Sequence, residues 1–183
     1  ARALHLIQAA IAPGPVRVHL SVLRTRDWPD LREELHMAAE KKATVHWEGA
    51  GKAGKGKIST ETGALADYPY GFGSRFGDDR TGTNPEEILG AAHAACFTMA
   101  FAFAAEAEGI AVQTADTRAA VRLTKDGGGF KIDRIALELE AVVPGIDDAK
   151  FQALADGAKQ NCPLSKAVAS VPEVTLKATL KAA

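Results

Sequence analysis

Cysteine is scarce in this 183-residue chain: there are two, Cys96 and Cys162, 66 positions apart. So sparse a set excludes a secreted disulfide scaffold, and the lack of closely spaced cysteine pairs excludes a zinc finger or ribbon. Charge of one sign is also missing. With 22 Lys and Arg against 23 Asp and Glu, the formal net charge is -1. That balance leaves no electrostatic footprint for nucleic acid or an anionic membrane, and a small neutral or amphiphilic ligand fits better. There is no uninterrupted apolar run of about 18 residues, the length a membrane span requires. The first residues lack the basic, apolar, small-residue order of a signal peptide. Internal repeats, low-complexity tracts and interdomain linkers are absent too. What remains is a chain with 46% hydrophobic residues, long enough to bury one core, for which the cytoplasm is the expected location.

Composition changes once along the chain. All five basic residues of positions 1–36 are Arg, whereas positions 37–183 hold twelve Lys against five Arg, and three of the five His lie in the first segment. This shift predicts that the folded domain begins near Met37, covering 37–183, and that 1–36 is a non-native or upstream extension, the alternative being a genuine N-terminal arm.

Alternation of apolar and polar residues in Thr44-Val45-His46-Trp47-Glu48 and Lys57-Ile58-Ser59-Thr60-Glu61 predicts a hairpin closed by the Gly/Lys loop 49–56. Residues 63–83, rich in Gly, Tyr, Pro and Asp, read as irregular surface structure around a short extended piece at Tyr68 to Phe72, and long loops often carry function. A helix is expected from Pro85 to Glu108. Asn84 suits its N-cap, Pro85 its first position and Gly109 its stop. From Ile88 to Ala105 this helix is apolar on nearly every face, so it should be enclosed by a sheet and a partner, leaving Cys96 desolvated at mid-helix. Strands at Val112 to Thr124 and Phe130 to Val143 flank a Gly-rich turn. Helices from Asp147 to Lys159 and after Cys162-Pro163, then a strand from Glu173 to Leu180, complete an α+β order.

Read from the residues alone, several positions admit two meanings. Cys96 fits a small core hydrophobe as well as a reactive thiol. Cys162 precedes Pro163 at a helix start, where free backbone amides favour a thiolate. Arg75, in Ser74-Arg75-Phe76, fits a solvated loop arginine, and Glu86 and Glu87 fit first-turn acids. His93 stands three residues before Cys96 on the same helical face, the spacing of a metal-ligand pair, but a zinc site would also need Cys162 or His46.

Several stretches taken together resemble the osmotically inducible protein C family. They are Val45-His46-Trp47-Glu48-Gly49, Pro69-Tyr70-Gly71-Phe72, Ser74-Arg75-Phe76, Gly82-Thr83-Asn84-Pro85-Glu86-Glu87, Gly90-Ala91-Ala92-His93-Ala94-Ala95-Cys96-Phe97, Val143-Pro144-Gly145-Ile146 and Cys162-Pro163-Leu164-Ser165-Lys166. The likeness spans about residues 41 to 181 and favours this branch over the sister organic hydroperoxide resistance branch; 1–36 has no counterpart. It implies antiparallel sheets wrapped around a long central apolar helix in an intertwined homodimer with two sites at the interface. It also implies a cytoplasmic peroxidase without cofactor or metal. In that peroxidase Cys96 attacks an organic hydroperoxide, Cys162 resolves the sulfenic acid as a disulfide, and Arg75 and Glu86 activate the thiol. Electrons would come from a dithiol such as a lipoylated protein. An apolar wall from Phe97, Phe101 or Phe72 would suit an organic peroxide. The competing expectations are a non-enzymatic stress protein that binds hydrophobic ligands in a dimer groove, and a metal-binding protein using His93, Cys96 and Cys162.

Overall fold

A computed structural model describes residues 39–182, so the expected extension 1–36 lies outside the described residues. Strand β1 (Ala43–Glu48) turns through a 3-10 turn at Gly51–Ala53 into β2 (Lys55–Thr60), and β3 (Tyr68–Gly71) adds to its far side. All three run antiparallel in the order β1-β2-β3. Gly56 pairs with Trp47 on one side and Tyr70 on the other. A Cβ at Gly56 would lie 2.0 Å from the Tyr70 ring, and one at Gly54 2.4 Å from Trp47. The two glycines thus let both rings lie across the middle strand, with centroids 5.4 Å apart.

The segment read as irregular contains a short helix, α1 (Phe72–Phe76), that periodicity could not reveal in five residues. It is held from outside. Ser74 Oγ accepts the Gly71 N–H at 3.0 Å and donates to Thr83 O at 2.7 Å, while Asn84 Nδ2 donates to Ser74 O at 3.1 Å.

Helix α2 (Pro85–Ala107) begins as expected: Asn84 Oδ1 accepts the Glu87 N–H at 2.8 Å, and Pro85 needs no partner for an N–H it lacks. It ends in a Schellman turn, in which Ile110 N–H donates to Ala105 O and Gly109 N–H to Glu106 O. Gly109 takes φ +72°, a backbone that a side chain would strain. By length and mean hydropathy alone α2 could cross a membrane. Here one stripe, Gly90, His93, Phe97, Phe101 and Ala105, is buried in the protein.

Strands β4 (Thr114–Asp126) and β5 (Gly129–Val142) form a long antiparallel hairpin closed by Gly127-Gly128. Gly127 takes φ +57°, as the first residue of a tight two-residue turn requires. Helix α3 (Asp148–Asn161) follows, capped by Asp147, then α4 (Pro163–Ala167) and β6 (Glu173–Lys181). Strand β6 pairs parallel to β5, so the second sheet, in the order β4-β5-β6, is mixed and not antiparallel throughout. The reason is the connection: two helices lie between β5 and β6 and return the chain to the starting end of β5, which only a long crossover can do.

The core fills the layer between this sheet and the helices. Ile135, Leu137, Leu139 and Ala141 alternate inward from β5, and the last three meet Phe97 and Phe101 of α2 and Phe151, Leu154 and Ala158 of α3. Phe101 meets Phe151 edge to face at 5.6 Å. Phe97 and Phe101 are therefore core residues, fully buried, and not the peroxide-facing wall expected of them. Phe101→Ala should lower unfolding stability by about 3–5 kcal/mol through the cavity it leaves. Urea unfolding monitored by circular dichroism checks this, and a loss below about 1 kcal/mol would show that the site is not close-packed.

Candidate functional site

Helix α2 carries Cys96 toward the junction of α3 and α4, where Cys162 serves as C-cap of the first and N-cap of the second. The two sulfurs lie 3.1 Å apart, and both cysteines are free thiols. Residues 66 positions apart thus meet at a contact that a disulfide would close with little movement. Buried packing alone does not require two sulfurs to face each other. Their exposure differs: Cys162 is fully buried, whereas Cys96 retains access to solvent. A small oxidant can reach only Cys96 directly.

Charge is distributed unequally over this pair. Burial pushes the Cys96 thiol above its ordinary range, and the neighbouring Cys162 sulfur adds to the rise, against a smaller opposing effect of the Leu164 N–H. Burial acts in the same sense on Cys162, but there the Cys96 thiol, the N–H and hydroxyl of Ser165 and the Leu164 N–H together bring it below its usual value. Cys162 makes no side-chain capping hydrogen bond as N-cap of α4.

The second pair lies at the start of α2. Arg75, from α1, donates through Nε to Glu86 Oε2 at 3.1 Å and through Nη2 to Glu86 Oε1 at 2.6 Å. This is a planar fork on a carboxylate that is 11% exposed, and Glu86 holds the guanidinium firmly cationic. Two of its five N–H groups are committed to Glu86, which leaves three for another acceptor. Trp47, Tyr70, Phe72, Phe76 and Pro85 join Arg75 around a cleft of about 170 Å³, so Phe72 is the one member of the expected apolar wall that lines a cavity.

Within one chain these four residues form two pairs and not one site. Glu86 and Cys96 share α2, and their ten-residue interval corresponds to ~15 Å of helix. The metal reading gains nothing from the geometry: His93 is fully buried with Nε2 2.9 Å from Ser165 Oγ, and among the described residues no three of His, Cys, Asp and Glu converge as metal ligands. Ser165 is a contact that the residue-by-residue reading missed. Its position three after Cys162, where a helix N-cap is contacted, was the available signal.

Residues 77–177 match the family model described as OsmC-like protein. Over 145 residues the chain is 47% identical to Peroxiredoxin OsmC of Escherichia coli, covering 79% of this chain and 99% of that protein. It is 33% identical over 124 residues to organic hydroperoxide resistance protein OhrB of Bacillus subtilis, covering 67% of this chain and 88% of that protein. The crystal structure of that OhrB superposes with a TM-score of 0.55 at 31% identity, covering 75% of this chain and 98% of that one. An organic hydroperoxide resistance protein from Elizabethkingia anophelis superposes with a TM-score of 0.62 at 26% identity, over 80% and 99% of the two chains.

Burial holds the His93 imidazole below its usual pKa, which sets a sign for stability against pH. The unfolded chain takes up the proton near pH 6.5 and the folded chain only at lower pH, so this contribution is complete above about 6.5 and is lost as pH falls toward the folded value. His93→Gln should flatten that part of the profile. Denaturant midpoints measured from pH 5 to 8 for both proteins check it, and parallel profiles would contradict it.

Proposed function

The chain belongs to the OsmC-like protein family, and on that footing we propose that it reduces organic hydroperoxides to alcohols in stress defence, with Cys96 attacking and Cys162 resolving. The observation that carries this reading is the approach of two free sulfurs to 3.1 Å, one accessible and one buried. The Cys96 thiolate attacks the distal peroxide oxygen, the O–O bond breaks, and the alkoxide leaves to take up a proton as the alcohol. The resulting Cys96 sulfenic acid is attacked by Cys162, forming the disulfide and releasing hydroxide, which is protonated to water. A dithiol reductant then restores both thiols and leaves as its own disulfide. A closely spaced dithiol such as a dihydrolipoyl group on a protein fits that exchange, and the cytoplasm fits a cycle that returns both cysteines to thiols.

Arg75 and Glu86 complete the site from a second copy of the chain. An ordinary thiol is only about 3% ionised at neutral pH, so ionisation alone raises the rate no more than about 30-fold. Cys96 starts from a higher pKa still. A guanidinium brought to the sulfur offsets that burial, and its remaining N–H groups donate to the peroxide oxygens as charge moves onto the leaving alkoxide. Glu86 keeps the fork aimed. The dimer is supported by the second stripe of α2: Ala91, Ala95, Met99 and Phe103 recur every fourth residue and stay exposed, with Met99 at 57% and Phe103 at 60%. A face this apolar, parallel to the buried stripe, is covered by a second copy, which also brings its own Arg75 and aromatic cleft.

Cys96→Ser should consume no peroxide. Cys162→Ser should consume one equivalent and then gain one and, with excess oxidant, two oxygens on Cys96. The wild type should lose two hydrogens and recover with a dithiol. Intact-protein mass spectrometry reads all three, and adducts mapping to Cys162 would reverse the assignment.

Arg75→Lys should lose more than about tenfold in kcat/KM, because a point charge cannot hold sulfur and peroxide together. Co-expressed Cys96→Ser and Arg75→Lys chains should recover about a quarter of the wild-type activity, since half of the dimers then hold one intact site of two. No recovery in verified mixed dimers would place Arg75 and Cys96 in the same chain.

A further inference from the structure

Peroxide and reductant must both reach this pair of sulfurs, and the fold treats the two unequally. Cys162 is 0% exposed and belongs to the core together with Leu154, Ala155 and Ala158. Its backbone is fastened on both sides: its N–H donates to Ala158 O at 2.8 Å, and its carbonyl accepts the Lys166 N–H at 3.1 Å. As the last cap of α3 and the first of α4, it cannot swing outward unless both helix ends open. The groove that Ser165 and Lys166 line with Asp156 and Lys159 does not include Cys162. Cys96 is only partly buried. No assembly of copies can uncover Cys162, because its own chain encloses it, whereas any assembly that consumes peroxide must leave Cys96 within reach.

We infer that the reductant attacks the disulfide at Cys96 and not at Cys162, so that re-reduction passes through a mixed disulfide on Cys96 with Cys162 as the departing sulfur. The inference rests on the resolving role proposed for Cys162. Thiol–disulfide exchange is a displacement in which the attacking, central and leaving sulfurs lie nearly in line, so the attacker needs open access to the central sulfur. Cys162 presents no surface to an attacker, and Cys96 does. One thiolate of a closely spaced dithiol, the reductant class proposed above, attacks Cys96 Sγ. A new S–S bond forms, the Cys96–Cys162 bond breaks, and its electron pair leaves with Cys162, which takes up the proton that the reductant thiol gave up. The reductant's second thiolate then attacks its own sulfur in the mixed disulfide. This closes the reductant's disulfide and returns Cys96 with its electron pair and a proton. Two electrons and two protons pass in all. The same placement gives a dithiol its advantage. The expelled Cys162 stays beside Cys96, at 3.1 Å in the reduced pair, and re-attacks it, ejecting a monothiol before a second one arrives. A dithiol carries its second sulfur with it.

Wild-type protein is oxidised with one equivalent of cumene hydroperoxide, shown by mass to have lost two hydrogens, and mixed with excess glutathione. Acid quenching at intervals, capping with N-ethylmaleimide under denaturing conditions and peptide mapping then locate each group. Glutathione should stand on Cys96 and maleimide on Cys162 at the earliest times. Glutathione on Cys162, or on both cysteines equally, overturns the inference. Where reclosure by Cys162 outruns capture, single-cysteine variants decide. Cys162→Ser and Cys96→Ser proteins are titrated with dithiobis(nitrobenzoate), whose exchange passes through the same in-line arrangement at the sulfur concerned. The thiol left in Cys162→Ser should react at least about tenfold faster than the one left in Cys96→Ser, and the difference should vanish in denaturant. Equal rates in the folded proteins overturn the inference. A wild type that gains oxygen and forms no disulfide on treatment with peroxide removes the resolving role instead, a separate failure read from the first masses.

Discussion

The contact between the Cys96 and Cys162 sulfurs is the constraint around which the rest of this protein is arranged. It joins the middle of α2 to the junction of α3 and α4, and it can form only because the buried stripe of α2 seats that helix against α3 and the second sheet. The parallel pairing of β6 with β5 belongs to the same arrangement. Bringing the chain back to the start of β5 requires a long return, and that return is the pair of helices whose meeting point carries Cys162. The peculiarity of the sheet and the placement of the resolving sulfur thus have one origin.

Electrostatics divides the work between the two thiols. Cys96 is accessible, with burial raising its thiol, and Cys162 is inaccessible, with neighbouring groups lowering its own. Burial of Cys96 works against the charge that attack requires there. A guanidinium fixed in a bidentate fork is the group that could favour it, and the chain holds one ~15 Å away along α2, anchored to Glu86. In the proposed dimer the activation of Cys96 becomes a consequence of assembly, so a lone chain would carry reactive residues without the full reaction. The exposed stripe of α2, running through Met99 and Phe103, ties the same event to burial of apolar surface.

Much of this was legible in the residues. The Asn84-Pro85 cap, the apolar wrap of α2, the Gly-rich turn before β5 and the first hairpin follow from local rules, because capping, periodicity and turn chemistry act between residues close in sequence. The thiol pair, Arg75 and Glu86 were identified through family motifs, each of which is a short local string. Helix α1 escaped because five residues show no period and it is held by Ser74 reaching out of it and Asn84 reaching in. The peroxide-facing wall was misassigned to Phe97 and Phe101 because an apolar residue on an all-apolar helix gives no sign of which face the sheet will cover.

The sequence by itself determined the elements, the thiol chemistry and the need of α2 for cover on more than one face. Tertiary structure alone decided which stripe of that helix is buried, that β6 runs parallel, that His93 turns to Ser165, and that Arg75 pairs with Glu86 at the start of α2. The physical reason is distance along the chain. Propensity, capping and motif spacing are set by neighbours a few residues away, whereas burial, the sharing of a proton between sulfurs and the reach of a guanidinium depend on groups tens of residues apart, which only packing brings together.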